Sequence, residues 1–485
     1  MPKFVLLWTD AAMWLLVLAL VAYAVVVLRS PGLRSNWRKV FRDAPALASS
    51  VVLLLCLLVT LLDSVHYRPL LPPAAGAANV APAYDTSTSS ALDWVLSDLI
   101  DSREATYSRP LAYVGFTKET VEVNGELKRV APRLKFGGAH LRDPANEWAG
   151  DVARRVAVGV AGGVAGFIVL ATVLVVWVAR SRREGLGSTF ASIRRAEGDI
   201  PWHVALWTMF ALAVLIGPTV ALMSHYHVMG TDLTGNDVLY QALKSIRTAF
   251  VIGTLATVAT LPLAIGLGIL AGYFRGWVDE VIQYLYTVLS SIPNVLLIAA
   301  CVLMVQVFLD KHPELFETGV ERADLKLFLL CAVLGLTGWA GLCRLLRAET
   351  LKLRELEYVQ AASAFGVSHG RIMRRHIFPN VAHLMLIVTV LEFSSLILYE
   401  AVLSYVGVGV DPSMNSFGGM INLARSEMSR DPVVWWSFAA AFGFMVGLVL
   451  AANLFADGVR DAFDPRAGNF RPRRVALPAA SGKAG

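Results

Sequence analysis

Apolar runs of about twenty residues recur along this chain, and nothing else in it limits the fold so strongly. Nine are counted, near 11–28, 46–62, 156–178, 204–223, 249–273, 281–308, 327–346, 381–406 and 433–455. Coiled as a helix, each is long enough to cross the hydrocarbon core of a bilayer. Backbone facing lipid must satisfy its own hydrogen bonds, so each run is expected to be helical. Hydrophobic residues make up 56% of the 485 residues, which a soluble chain of this length rarely carries. The expected fold class is an all-α polytopic membrane protein with about nine transmembrane helices. Only Lys3 precedes the first run with positive charge, and no small-residue cleavage site follows it. That run is expected to be a retained span rather than a signal peptide.

The formal net charge of +6 is concentrated in loops, so membrane lipids are expected neighbours and nucleic acid is not. Arg29, Arg34, Arg38, Lys39 and Arg42 follow the first run; Arg180, Arg182, Arg183, Arg194 and Arg195 follow the third. Arg344, Arg347, Lys352, Arg354, Arg371, Arg374 and Arg375 surround the seventh connection. Alternating spans put all three clusters on one side, expected to be cytoplasmic, with the N-terminus outside and the C-terminal tail inside. Cys56, Cys301, Cys331 and Cys343 have no CxxC spacing and read as small apolar residues of the spans.

Two outer regions are long. Residues 66–155 begin with the Pro/Ala-rich "RPLLPPAAGAANVAPAY", expected to be an extended linker. They continue with "TVEVNGELKRV", whose "NG" between β-prone runs predicts a hairpin in a small module of little independent stability. Residues 407–432, rich in Gly, Pro, Asn and Ser, are expected to turn back toward the membrane.

Between the seventh and eighth runs stands "EYVQAASAFGVSHGRIMRRHIFPN". The seventh span is expected to continue as a helix to Phe365, with Gly366 turning the chain. A short helix over 368–376 is expected next, stopped by Pro379. On a helical wheel Arg371, Arg374 and Arg375 share one arc, opposite Ile372, Met373 and Ile377. Two readings fit this pattern: an interfacial helix on anionic lipid, and a knob docking a soluble partner. Small Ala361, Ala362 and Ser363 favour close packing in the second.

The segment resembles the EAA loop of ABC importer permeases. Gln360, Ala361, Ala362, Gly366 and Pro379 match its spacing, with Gln360 in place of the usual glutamate and His376 where isoleucine is common. "HVMGTDLTGNDVLYQALKSIRTAFVIG" is similar to a block of the dipeptide, oligopeptide and nickel permeases. His227, Gly230, Thr231, Asp232, Gly235 and Asp237 match there, while Asn236 replaces an arginine. "GYFRGWVDEVI", "SSIPNVLL", "EAVLSYVGVGV" and "DGVRDAFDPR" resemble further blocks of the C-type subunit of those heteromeric permeases. The likeness covers about 201–466. "YSRPLAYVGF" with "RLKFGGAHLRDP" is faintly similar to an insertion in long permeases of the microcin-importing type.

The resemblance implies a bacterial inner-membrane permease subunit forming half of a translocation pathway, with peptides as the expected cargo class. It also implies a second, B-type permease, one or two ATP-binding subunits and an extracytoplasmic substrate-binding protein. ATPase coupling would fall to Gln360, Ala361, Ala362, Gly366, Arg371, Arg374, Arg375 and Pro379. No GxxxxGK[ST] loop is present, so ATP and magnesium belong on partner subunits and the chain is not expected to be an enzyme. "GLGILAG" lies inside an apolar run, where its glycines serve helix packing. No cofactor or metal site is expected in the chain; His225 and His227 lack a tight cluster of further ligands.

Glu392 and Glu400 fall in or near the eighth run, where charge is costly; they either line the pathway or brace a subunit interface. The expected organisation is 1–65 (two spans), 66–155 (outer module), 156–200 (third span and basic loop), 201–466 (six-helix core with the loop 351–380) and 467–485 (tail). The alternative function is a partner-free channel or secondary transporter, for which an inverted repeat would be the sign, and none is visible.

Overall fold

The computed structural model describes residues 3–71, 84–85, 87–123 and 126–463. Among the described residues, nine membrane-length helical units order the chain, eight continuous and one bent. The first four spans are Trp8–Arg29, Ala44–Asp63, Pro144–Arg182 and Trp202–Met223. Val238–Phe274 and Asn294–Lys311 follow as fifth and sixth. The seventh is the pair Gly319–Gly338 and Ala340–Arg354, bent by 41°. Phe378–Val406 is the eighth and Trp436–Phe463 the ninth.

One boundary differs from expectation. The sixth run does not cross as a single helix over 281–308; it divides into Gly276–Ser291 and Asn294–Lys311. Pro293 has no N–H to donate, and Ile292 before it is held extended at φ −88°, ψ 133°.

The fifth span is the centre of the bundle, buried along most of its length against the seventh, eighth and second spans. "GLGILAG" does pack helices. A Cβ on Gly268 would lie 2.9 Å from the Cys343 carbonyl, and one on Gly272 would lie 2.6 Å from Thr350, both in the seventh span. Gly266 faces open space.

The third and fourth spans form an intimate pair of their own. Gly159 and Gly163 press against Gly217 and Pro218, with a Cβ on Gly159 only 2.5 Å from the Pro218 Cα. Gly163→Leu should therefore force this pair apart at a cost of at least ~1–3 kcal/mol. Gly166→Leu, where nothing lies within 4 Å, should melt like wild type. Equal melting of both variants in detergent would contradict the contact.

The N-terminal spans are fastened to the core. Gly458 of the ninth span lies against Ala46 of the second. Residues Lys3–Val5 pair antiparallel with His66–Arg68, which pairs in turn with Ser89–Ser90. Beneath this sheet, Arg247 donates to Asp10 at 2.6 Å and to Thr9 at 2.9 Å. Asp10 also meets His66 Nδ1 at 2.7 Å, and Thr9 donates both its N–H and its hydroxyl to Asp324. Lys244 joins Asp63 at 2.7 Å to Asp93 at 2.8 Å.

The outer module forms a cap beside the start of the fifth span. Its hairpin is present as Glu119–Val123 against Glu126–Val130, with Val123 opposite Glu126. Most of the Pro/Ala-rich linker, 72–83, lies outside the described residues. The region 407–432 turns back as a helix, Phe417–Glu427, tucked against the fifth, eighth and ninth spans.

Candidate functional site: the exposed loop after the seventh span

At the opposite end of the fifth span from the cap, the seventh span gives way to an exposed loop. Arg354 donates to the Tyr273 carbonyl at 2.7 Å, tying the end of the seventh span to the end of the fifth. The helix then breaks at Leu356, which is extended at ψ 140°, and resumes as Glu357–Ala364. Continuous helix to Phe365 was expected; the extended Leu356 interrupts it and re-aims the following turn outward.

Gly366 sits at φ +75°, and the N–H of Val367 returns to the Ala362 carbonyl at 3.1 Å. This left-handed closure is the turn expected of that glycine. Ser368 then precedes His369–Ile372. Tyr273 and His369 Nδ1 meet at 2.8 Å, so the fifth span also supports the second arm.

The expected stop at Pro379 does not occur. Met373–Ile377 form a π turn that runs straight into the eighth span, with Pro379 in that helix's first turn. The wider π turn absorbs the irregularity, and proline is tolerated in a first turn where its absent N–H is least missed. The second arm of the loop and the eighth span are thus one continuous helical segment.

The two faces of this segment separate as the wheel predicts. Val359, Ile372 and Ile377 are buried among side chains of the fifth and seventh spans, while Arg371, Arg374 and Arg375 are exposed. None of these three arginines has a hydrogen-bond or ion-pair partner among the described residues. Gln360 and Ala361 are exposed, Ala362 packs inward, and Gln360 donates to the Glu355 carbonyl at 3.2 Å. Sequence reasoning passed over Phe365, which is 87% exposed at the tip. An aromatic placed between small residues and a turn glycine was the available signal.

The two carboxylates of the eighth span occupy different settings. Glu400, 1% exposed, accepts from Ser404 at 2.6 Å, and Gly418 of the turned-back helix lies against it. Glu392 is exposed on the isolated subunit and borders a notch with Thr257, Thr260, Gly338, Leu342 and Thr389.

The cap end is organised around His227, whose ring lies between Asp237 at 2.8 Å and Glu104 at 3.5 Å. Burial opposes charge on His227, but the hydrogen bond to Asp237 and the ion pair with Glu104 prevail and lift its pKa to about 9. Burial likewise opposes charge on Glu104. His227 and the N–H groups of Phe136, Gly137 and Lys135 outweigh it and lower the carboxyl to about 2. His225 and His227 both line a cleft of about 330 Å³, together with His140, Asp98 and Asp101.

Residues 264–469 match the family described as binding-protein-dependent transport system inner membrane component. The chain is 31% identical over 245 residues to the oligopeptide transport system permease protein OppC of Mycobacterium tuberculosis H37Rv, covering 50% of this chain and 78% of that one. This protein is a member of that permease family. The permease is also 31% identical over 316 residues to the glutathione transport system permease protein GsiD of Pectobacterium atrosepticum, covering 59% of its own length and 98% of that relative. To OppC of Haemophilus influenzae it is 30% identical over 260 residues, covering 54% and 75%. A chain of the MetNI methionine ABC transporter, seen in an inward-facing conformation, aligns at 16% identity and a TM-score of 0.33 over 47% of the permease and 96% of that chain. The permease is accordingly a multi-pass inner-membrane transport subunit of an ABC importer.

Proposed function

We propose that this subunit forms half of the pathway of an ATP-driven peptide importer and receives motion from the ATPases through residues 357–377. The observation that carries the reading is the loop itself. A fully presented aromatic, Phe365, and three unpaired arginines project from a segment whose other face is locked into the bundle. Such a surface suits a groove with apolar depth and acidic walls, and fits a soluble partner better than a bilayer surface, since Phe365 and the arginines share no amphipathic division. Gln360, Ala361 and Ala362 give the first arm a slim profile, Gly366 supplies the turn, and Pro379 opens the span that carries the motion inward.

On this reading a B-type permease completes the pathway, and one or two ATP-binding subunits hold ATP and magnesium. An extracytoplasmic binding protein delivers cargo at the cap end. The basic loops then lie in the cytoplasm with the C-terminus, and the N-terminus lies outside. Residues 1–65, 66–155 and 156–200 are additions to a six-helix core over 201–466. The cargo named in two of the relatives, oligopeptide and glutathione, supports the peptide class.

Purification of tagged permease from its native membrane tests the coupling role. Phe365→Ala should reduce the co-purifying ATPase by more than about tenfold, as expected for an aromatic anchor worth at least ~2 kcal/mol. Gly366→Asp should act in the same direction, through φ strain rather than crowding, since nothing lies within 4 Å of an added Cβ. Wild-type protein emerging alone, or variants retaining full ATPase, would defeat the proposal.

A further inference from the structure

Glu392, exposed on the isolated subunit, stands apart from the carboxylates buried in and beside the spans. Asp10 and Asp324 are tied to Arg247 and Thr9, Asp63 to Lys244, and Glu400 to Ser404. Glu392 has no hydrogen-bond or ion-pair partner among the described residues. It is also the middle residue of the 29-residue helix Phe378–Val406, about 21 Å of helix from either end at 1.5 Å per residue. A carboxylate left facing hydrocarbon at that depth costs several kcal/mol, so its exposed face belongs to the water-filled pathway or to a partner.

Its neighbours decide what that face can do. Thr257 and Thr260 of the fifth span and Thr389 of the eighth line the same notch. Thr257 and Thr260 donate their hydroxyls to the Gly253 and Ala256 carbonyls, at 2.6 and 2.9 Å, which leaves their oxygen lone pairs available as acceptors. No cation lines the notch. A carboxylate sharing its notch with two threonine oxygens free to accept suits a donor-rich cation, an ammonium or guanidinium.

The notch also lies beside a bend. Gly338 marks the 41° bend of the seventh span, and Pro262, two residues past Thr260, removes one backbone N–H from the continuous fifth span. Rocking of the lower halves, driven from the loop at 357–377, would open or close the space beside Glu392.

We infer that Glu392, with Thr257, Thr260 and Thr389, is a mid-membrane cargo site selective for a cationic group, an inference that rests on the peptide-importer reading. The test uses the whole complex from native membranes, reconstituted in vesicles with its binding protein, and three probes: trilysine, trialanine and triglutamate. Wild type should favour trilysine over triglutamate. Glu392→Gln should lower that ratio by about tenfold or more, since even a partly screened charge pair at contact distance exceeds that effect. Glu392→Asp should keep the preference, and Glu392→Lys should reverse it.

An equal fall for all three probes in Glu392→Gln, or an unchanged ratio, would overturn the inference and leave the importer reading standing. Loss of the second permease from the Glu392→Gln complex would assign the residue to the subunit interface and also overturn it. Transport of none of the probes by an assembled wild-type complex would remove the peptide reading, and the inference with it.

Discussion

Arg247→Met is expected to loosen the N-terminal spans from the core more than any other single change. The guanidinium is 3% exposed and touches Asp10, Thr9 and Ser64, with Asp324 at 3.8 Å. With Arg247 itself, these residues come from four different parts of the chain. Removing the arginine leaves two buried carboxylates with no basic side chain between them except His66. Breaking one member out of a buried pair typically costs ~3–5 kcal/mol, far more than the net worth of the intact pair. Thermal unfolding in detergent should show that loss, and proteolysis should reach 30–43 between the first two spans. The triple variant Asp10→Leu, Arg247→Met, Asp324→Leu should recover most of it, because no charge is then stranded. A single variant as stable as wild type would show that the network does not hold these spans.

His227→Ala is expected to free the cap, with a pH signature that a simple cavity would not produce. His227 is 2% exposed, and its loss leaves Asp237 and Glu104 buried without a cation, again a cost of ~3–5 kcal/mol. The folded pKa near 9 lies above the reference 6.5, so the histidine's contribution is complete below about 6.5. It disappears as pH rises through about 9. Glu104, lowered to about 2 from 4.5, contributes fully above about 4.5 and loses that contribution as pH falls through about 2. Protease resistance of residues 87–143 should therefore be greatest between about 4.5 and 6.5 and decline on both sides. His227→Ala should lower the plateau and abolish the alkaline decline, while Glu104→Gln should abolish the acid one. An alkaline decline that persists in His227→Ala would place its origin elsewhere.

The cap also shows what local sequence leaves out. Pattern reading found the hairpin and took the module to have little stability of its own. In the structure it borrows stability from the connection between the fourth and fifth spans. Thr231 donates to the Thr106 carbonyl, Trp436 donates to the Thr231 carbonyl at 3.0 Å, and Tyr107 meets Glu427 at 3.1 Å. Those partners are 125 to 320 residues apart in the chain, beyond the reach of any periodicity.

The loop shows a different division. Spacing alone identified Gly366 as the turn and placed Arg371, Arg374 and Arg375 opposite Ile372 and Ile377, because both follow from φ preferences and the helical repeat. The break at Leu356 and the π turn before Pro379 were not legible, since each depends on how two helices meet at a fixed angle. Phe365 was visible as a residue but not as an exposed one, because exposure is a property of neighbours.

What the sequence by itself determined is therefore the class of molecule: the number of spans, their helical state and the family blocks. Bilayer thickness and backbone hydrogen bonding leave no other way to bury nine such runs. Tertiary structure alone decided which charges are structural and which are left free. Asp10, Asp63, Asp324, Glu392 and Glu400 look alike in a list of residues within or at the ends of apolar runs. Packing of distant helices gives Asp10, Asp63 and Asp324 their partners, Glu400 bonds Ser404 one turn along its own helix, and Glu392 is left with none among the described residues, because an ion pair or hydrogen bond requires two groups within about 3 Å and the chain alone does not set that distance.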